Sequence, residues 1–295
     1  MIKILMALLI ICALYFLVVF FKDYISKVKN KSLDNSKFST FAASGFVVNF
    51  FDTLGIGSFA IFTAILKNFK LTEDRTIPGT LNVSCAIPVI VEAMVFINVI
   101  KVEPITLIAM IVAATLGAVL GAGFVARLDE RKIEIGMGTA LLVVAFIMFA
   151  GQVNIMPSGG NSTGLTGIRL IIGLIGNFIF GAFMTLGIGI YAPCMALIFT
   201  LGMSPKVAFP VMMGSCAFLE VAASVKFVKE GAYDIRIPLP VIIFGSIGVL
   251  IAAYVVKSLP LSILKWVVIG IIVYTSIIMF KSAKNKLHRG KTDMV

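Results

Sequence analysis

Thr53-Leu54-Gly55-Ile56-Gly57 and Thr185-Leu186-Gly187-Ile188-Gly189 are the same pentapeptide, 132 residues apart, and each copy lies inside an apolar stretch. The chemistry open to such a motif comes from its glycines. Two glycines one residue apart let a helix break at membrane depth. The half-helix that restarts beyond the break has N–H groups without intrahelical partners and a partial positive charge. Two such N-termini meeting near the bilayer midplane form an anion site that needs no buried lysine or arginine. The restarts fall near Ser58 and Ile190. The competing reading is that Gly-x-Gly only allows close helix packing.

Polar side chains gather at the same places. Asn49, Asp52, Thr53 and Ser58 flank the first break, and Thr80, Asn82, Ser84 and Cys85 open the next apolar span. Thr185, Tyr191, Pro193 and Cys194 flank the second break, and Ser215 and Cys216 follow. Hydroxyls and amides offer an oxyanion directional hydrogen bonds. With Gly55, Gly57, Gly187 and Gly189 these residues, Asn49, Asp52, Pro193 and Cys194 apart, are the candidate substrate contacts. Hydrogen bonding between helices is the alternative for each.

Three acids, Asp52, Glu92 and Glu220, sit within apolar runs. Carboxyls inside a membrane are costly and functional by default, so these three are the candidates for carrying a coupled proton. Asp52 leads, because it lies near the C-terminal end of a half-helix, where the dipole disfavours an anion. For Glu92 and Glu220 a hydrogen-bonded packing role competes. Met184 holds the place of Asp52 in the second half.

No metal or cofactor is expected. Cys12, Cys85, Cys194 and Cys216 lie in apolar segments without a Cys-x-x-Cys, so they read as packing residues. The sole histidine, His288, stands in a basic tail, which leaves no histidine for a metal site or for catalysis.

The elements that must position these groups follow from composition. Sixty per cent of the 295 residues are hydrophobic and 13% charged, with mean hydropathy +1.08. A soluble domain is nearer half apolar and a quarter charged. The net charge of +11 does not point to nucleic acid, because the lysines stand in tails and loops beside apolar spans. Residues 2–21 form one apolar run with only Lys3 ahead of the core and Lys22, Lys27, Lys29, Lys31 and Lys37 after it. A cleavable signal has the opposite charge order, so this is a retained span with its N-terminus outside.

Eight further apolar segments follow, at roughly 41–66, 77–100, 105–126, 133–150, 170–201, 206–225, 237–257 and 262–280. They form two sets of four around an uncharged linker. Pro78 and Pro210 repeat at the 132-residue offset. Ser84-Cys85 and Ser215-Cys216, Gly117 and Gly248, and Ile147-Met148-Phe149 and Ile278-Met279-Phe280 repeat at 131. The ordered series argues for internal duplication.

Segments 41–66 and 170–201 are long enough to be either tilted spans or hairpins of two half-helices. If both return to the side they entered from, nineteen of the 25 Lys and Arg fall on one side. If every segment crosses, only fifteen do. Positive charge marks the cytoplasmic side, so the hairpins are preferred, each half crosses three times, and the halves are inverted. The expected architecture is an all-α polytopic membrane protein of two inverted-topology repeats. Each repeat holds a re-entrant Gly-x-Gly segment and three spans, and one extra N-terminal helix precedes them. The divisions are 1–40 for that helix and its basic link, 41–150 for repeat 1, 151–168 for an external linker, 169–282 for repeat 2, and 283–295 for a cytoplasmic tail.

The chain resembles the sulfite exporter TauE/SafE family of bacterial and plant membrane permeases. The resemblance rests on Gly55-Ile56-Gly57 and Gly187-Ile188-Gly189, each followed by a span bearing Ser or Thr. It includes the run Gly187 to Cys194, Gly202-Met203-Ser204-Pro205-Lys206, and Met212 to Phe218. It covers about residues 40–282 and omits the first span. The family pattern carries Gly-x-Gly-Gly-Gly, whereas Ser58 and Ile190 stand here where the third glycine would be. The resemblance implies proton-coupled transport of a sulfur oxyanion or organosulfonate, such as sulfite or sulfoacetate, across the bacterial cytoplasmic membrane, with the C-terminus inside. The expected partners are a small anion and the lipid bilayer. A passive anion channel, and a membrane-embedded enzyme or assembly factor, are the alternatives; no nucleophile–histidine pair supports the enzyme.

Overall fold

A computed structural model of the chain describes residues 2–30, 37–155, 160–185, 189–255 and 261–292. Among them are eleven α-helices and no β-strand. They are α1 (Ile2–Asn30), α2 (Phe38–Thr53), α3 (Ser58–Asn68), α4 (Ile77–Val99), α5 (Pro104–Val125) and α6 (Glu130–Gln152). The rest are α7 (Gly167–Met184), α8 (Tyr191–Thr200), α9 (Pro205–Lys229), α10 (Pro238–Val255) and α11 (Leu261–Thr292). Six of the described helices are long and apolar enough to cross a bilayer: α1, α4, α5, α6, α7 and α9. Proline at the first positions of α4, α5 and α9 starts those helices where the missing N–H costs nothing.

Each long Gly-x-Gly segment is two helices. In the first, α2 stops at Thr53, and Gly55 and Gly57 take φ of +80° and +92°, angles that a side chain would strain. The chain then restarts as α3 at Ser58. In the second, α7 stops at Met184 and α8 starts at Tyr191. Leu186, Gly187 and Ile188 lie outside the described residues, so Gly187 has no structural account. α7 and α8 run antiparallel, with Gly173 against Leu201 and Gly176 against Leu197.

The central helices interlock the two halves. α4 packs on α9, α10 on α2 and α4, and α5 on α7 and α9, while α6 pairs with α11. Exchanging α2 with α7, α4 with α9 and α5 with α10 leaves this pattern unchanged. The pairs that exchange into themselves are antiparallel. Gly79 near the start of α4 meets Phe227 near the end of α9. In α6 and α11, Gly138 meets Met279 and Phe280 while Phe149 meets Trp266. Close approach needs glycine where α5 crosses α7: a Cβ on Gly181 would stand 2.0 Å from the Ala114 carbonyl oxygen.

The fully buried face of the bundle belongs to α4 and α9, which are 72% and 83% buried over their apolar windows. α1 and α7 are only 22% buried there and turn Ile, Leu and Phe outward, as helices facing lipid do.

Polar contacts mark two ends. At one, Thr72 donates to Asp234 at 2.8 Å, Arg127 pairs with Glu230 at 3.5 Å, and Lys67 pairs with Asp74 and with Glu134. The end of α1 joins them: Tyr233 donates to Asp23, and Lys27 lies over the Tyr233 ring. At the other end the Glu103 and Ser204 N–H groups donate to Thr163 and Ser162 carbonyls. The Glu103 side chain there accepts from the Thr106 and Ile105 N–H groups, which hold its carboxyl below the usual glutamate range.

Candidate functional site

The two helix breaks meet in the middle of the bundle. Gly189, just before α8, faces Phe59 in the first turn of α3. α4 and α9 carry polar side chains to the same place. The side chains there are buried: Asp52, Thr53, Ser58 and Tyr191 are 4% exposed or less, and Ser84, Cys85, Glu92, Thr185, Ser215 and Cys216 are fully enclosed. Gly55 and Gly189, at the breaks themselves, are half-buried.

Asp52 is the first surprise. Its position near the end of α2 suggested an unfavourable dipole. Instead its side chain reaches back across the Gly55–Gly57 turn to the start of α3. There Oδ1 accepts the Ser58 N–H at 2.6 Å and Oδ2 accepts the Ser58 hydroxyl at 3.0 Å. The carboxyl therefore sits on a helix N-terminus, where the dipole favours negative charge. The expectation of an unfavourable dipole is corrected by side-chain direction. The Cys85 thiol lies beside the same Ser58 hydroxyl.

Glu92 is the second. One of its oxygens, Oε1, lies 2.7 Å from the Thr53 hydroxyl at the end of α2. The other, Oε2, accepts the Tyr191 hydroxyl at 2.7 Å, from the first residue of α8. One carboxyl from α4 thus joins both broken segments, at the end of α2 and the start of α8. Thr53 also lies 2.9 Å from the Asn49 carbonyl oxygen. Asp52, Glu92 and Glu220 are within electrostatic reach of one another and of Cys85 and Cys216. Glu220 Oε2, Ser84 Oγ and Asn49 Oδ1 are buried without a hydrogen-bond partner among the described residues.

Other expected contacts have local work. Thr80 lies toward the basic end, donating to the Thr76 carbonyl and accepting the Asp234 N–H. Asn82 donates back to the Pro78 carbonyl. Thr185 donates to the Ala182 carbonyl, and Cys216 meets the Met184 thioether at 3.9 Å. Ser215 accepts from Asn177, which also donates to the Met110 carbonyl across α5. Asn177 was not among the candidates, and an amide inside the apolar run of α7 was the available signal.

The matched stretches settle the family. The chain matches the sulfite exporter TauE/SafE family over residues 1–148 and 169–294. It belongs to that family. The match takes in α1, which the resemblance at the sequence level left out, and it runs past the expected end near residue 282. No curated protein and no solved structure matches the chain. Membership makes the protein a multi-pass membrane protein of an exporter family, and its name ties the family to sulfite. In this TauE/SafE protein the residues at the meeting of the breaks are hydroxyls, thiols and carboxyls.

Proposed function

We propose that this protein is a secondary transporter that moves a small sulfur oxyanion or organosulfonate, such as sulfite or sulfoacetate, across the cytoplasmic membrane in exchange with, or together with, protons. The observation that carries the reading is the Asp52 carboxyl on the N-terminus of α3. It is a carboxyl seated where the reading puts the substrate, and its two accepting oxygens report that this half-helix start can hold an oxyanion. Substrate would displace it, taking the Ser58 N–H and hydroxyl. Thr53, Ser84, Cys85, Ser215, Cys216 and the α8 start at Tyr191 would line the rest of the path.

The same reading treats the halves as inverted and both Gly-x-Gly hairpins as re-entrant. The antiparallel self-pairs α4·α9 and α6·α11 support inversion, because a two-fold relating antiparallel helices lies across them, in the membrane plane. The antiparallel α7–α8 hairpin, and the polar contacts that keep Lys67, Arg127, Lys27 and Arg236 at one end, support the re-entrant geometry with that end cytoplasmic. The burial of the side chains at the centre favours a carrier that opens to one side at a time over an open pore. Proton coupling would use the buried carboxyls Asp52, Glu92 and Glu220, none of which has an ion-pair partner among the described residues.

Flux into proteoliposomes tests the reading. Sulfite, sulfoacetate and methanesulfonate are supplied with and without an imposed pH gradient. Accumulation of at least one of them, accelerated by the gradient, is expected. Gradient-independent flux would make the protein a channel or uniporter. No flux of any of the three would remove the reading.

A further inference from the structure

The Thr53–Glu92–Tyr191 chain makes three hydrogen-bond contacts and has two hydroxyl hydrogens to make them with. A hydroxyl carries one hydrogen. Tyr191 spends its own on Glu92 Oε2. A threonine inside a helix commonly gives its hydrogen to the carbonyl four residues back, and Thr53 is 2.9 Å from that carbonyl, on Asn49. The remaining contact, 2.7 Å between Thr53 Oγ1 and Glu92 Oε1, joins two oxygens with no hydrogen left between them. If Glu92 were ionised, the one Thr53 hydrogen would have to be shared between the Asn49 and Glu92 oxygens, weakening both contacts.

We propose that Glu92 is a protonated carboxylic acid in this closed state, and that its proton is the one taken up when the two broken hairpins close on each other and released when they part. Oε1–H then donates to Thr53, Thr53 donates to Asn49, and Tyr191 donates to Oε2, so that every contact has its hydrogen. The second clause of the proposal rests on the transporter reading; the first does not.

The surroundings agree. Glu92 is fully enclosed. The titratable groups facing it are Asp52 of α2, Glu220 and Cys216 of α9, Tyr191 of α8 and Cys85 on its own helix, and none is a cation. No lysine, arginine or histidine forms an ion pair with Glu92 among the described residues. An unpaired charge there is expensive and is avoided by taking up a proton. Asp52 shows the opposite pattern: both of its oxygens accept, from an N–H and a hydroxyl. The two carboxyls thus differ: Asp52 only accepts, at the helix start, and the proton stands on Glu92 at the clasp.

Release follows from the same count. When the centre opens to water, Glu92 loses its proton to solvent on that side. Its Oε1 then accepts where it had donated, and Thr53 must share its one hydrogen between Asn49 and Glu92. Deprotonation therefore loosens the α2 side of the clasp while Tyr191 still holds the α8 side.

The test uses the full chain and reads the proton directly. Infrared difference spectra of purified protein between pH 6 and pH 9 should show the carbonyl band of a buried carboxylic acid at the lower pH. Glu92→Gln should lack that band. Its amide can donate to Thr53 and accept from Tyr191, so the clasp and the fold are retained. Tyr191→Phe should shift the band, because its Oε2 partner is gone. In proteoliposomes the ratio of flux with a pH gradient to flux without one should fall to unity in Glu92→Gln. A band unchanged in both variants overturns the proposal, as does a Glu92→Gln protein whose flux ratio equals that of the unaltered chain. A Glu92 band with no flux of any anion leaves the protonation standing and removes the transporter reading. Flux with no Glu92 band does the reverse.

Discussion

Removing the Asp52 carboxyl should expose the anion site it fills. Asp52→Ala takes away an acceptor for the first N–H of α3 and for the Ser58 hydroxyl. Loss of a helix cap costs about 1 kcal/mol, and a hydrogen bond to a charged group is worth about 1.5–3 kcal/mol. Relief from burying a carboxylate offsets part of that. The net expectation is a loss of about 2 kcal/mol in apparent stability. An added anion should restore it, since ligand at 100 times its Kd contributes about 2.7 kcal/mol. The unaltered chain must first displace its own carboxyl, so the variant should bind more tightly; about 2 kcal/mol corresponds to roughly thirtyfold. The assay is thermal unfolding in detergent across a series of sulfite or methanesulfonate concentrations, with chloride as the ionic-strength control. Alanine is preferred to asparagine because an amide oxygen can still accept the Ser58 N–H. Equal stabilisation of both proteins by anion, or no rescue of the variant, would refute the idea that Asp52 stands in for substrate.

Single cysteines at Lys37 and Lys70, both exposed at the two ends of the α2–α3 hairpin, should be labelled from the same side of the membrane by an impermeant reagent; opposite sides would make the hairpin a full span. At the basic end, burial alone would raise the Asp234 carboxyl, but hydrogen bonds from Arg236 and Thr72 carry it below the usual aspartate range. A depressed folded value stabilises the protein fully above the ordinary pKa of about 3.9 and is lost as pH falls through the folded value. Asp234→Asn should therefore lower the melting temperature at pH 7 and converge with the unaltered chain in strong acid. A constant gap at every pH would count against the ion pair.

The repeated pentapeptide was legible as two helix breaks because glycine spacing, segment length and charge placement are properties of the chain read in order. The restart of α3 at Ser58 followed from the same pattern. The use of the carboxyls was not legible. Asp52 looked badly placed because a sequence position gives the end of a helix but not the direction of a side chain that turns back over two glycines. For Glu92 a packing role competed with proton coupling because its partners, Thr53 and Tyr191, are 39 and 99 positions away. Only the packing of α4 between the hairpins brings the three together. Thr80 opens α4 at the basic end, where its hydroxyl accepts the Asp234 N–H from 154 positions away. Lys67, whose charge counted at the sequence level only toward orientation, meets Glu134 in a buried ion pair that fastens α3 to α6.

The interlocked halves also set a timetable for making the protein. α2 packs most closely on α10, which begins some 185 residues after α2 ends. At roughly 5–20 residues per second of synthesis, the first hairpin waits on the order of ten to forty seconds for its partner helix. During that wait the Asn49 amide, which lies against Gly245, has no α10 to cover it. A ribosome stalled before α10 would leave that amide on an uncovered face of α2, a polar feature by which an unfinished chain differs from a finished one.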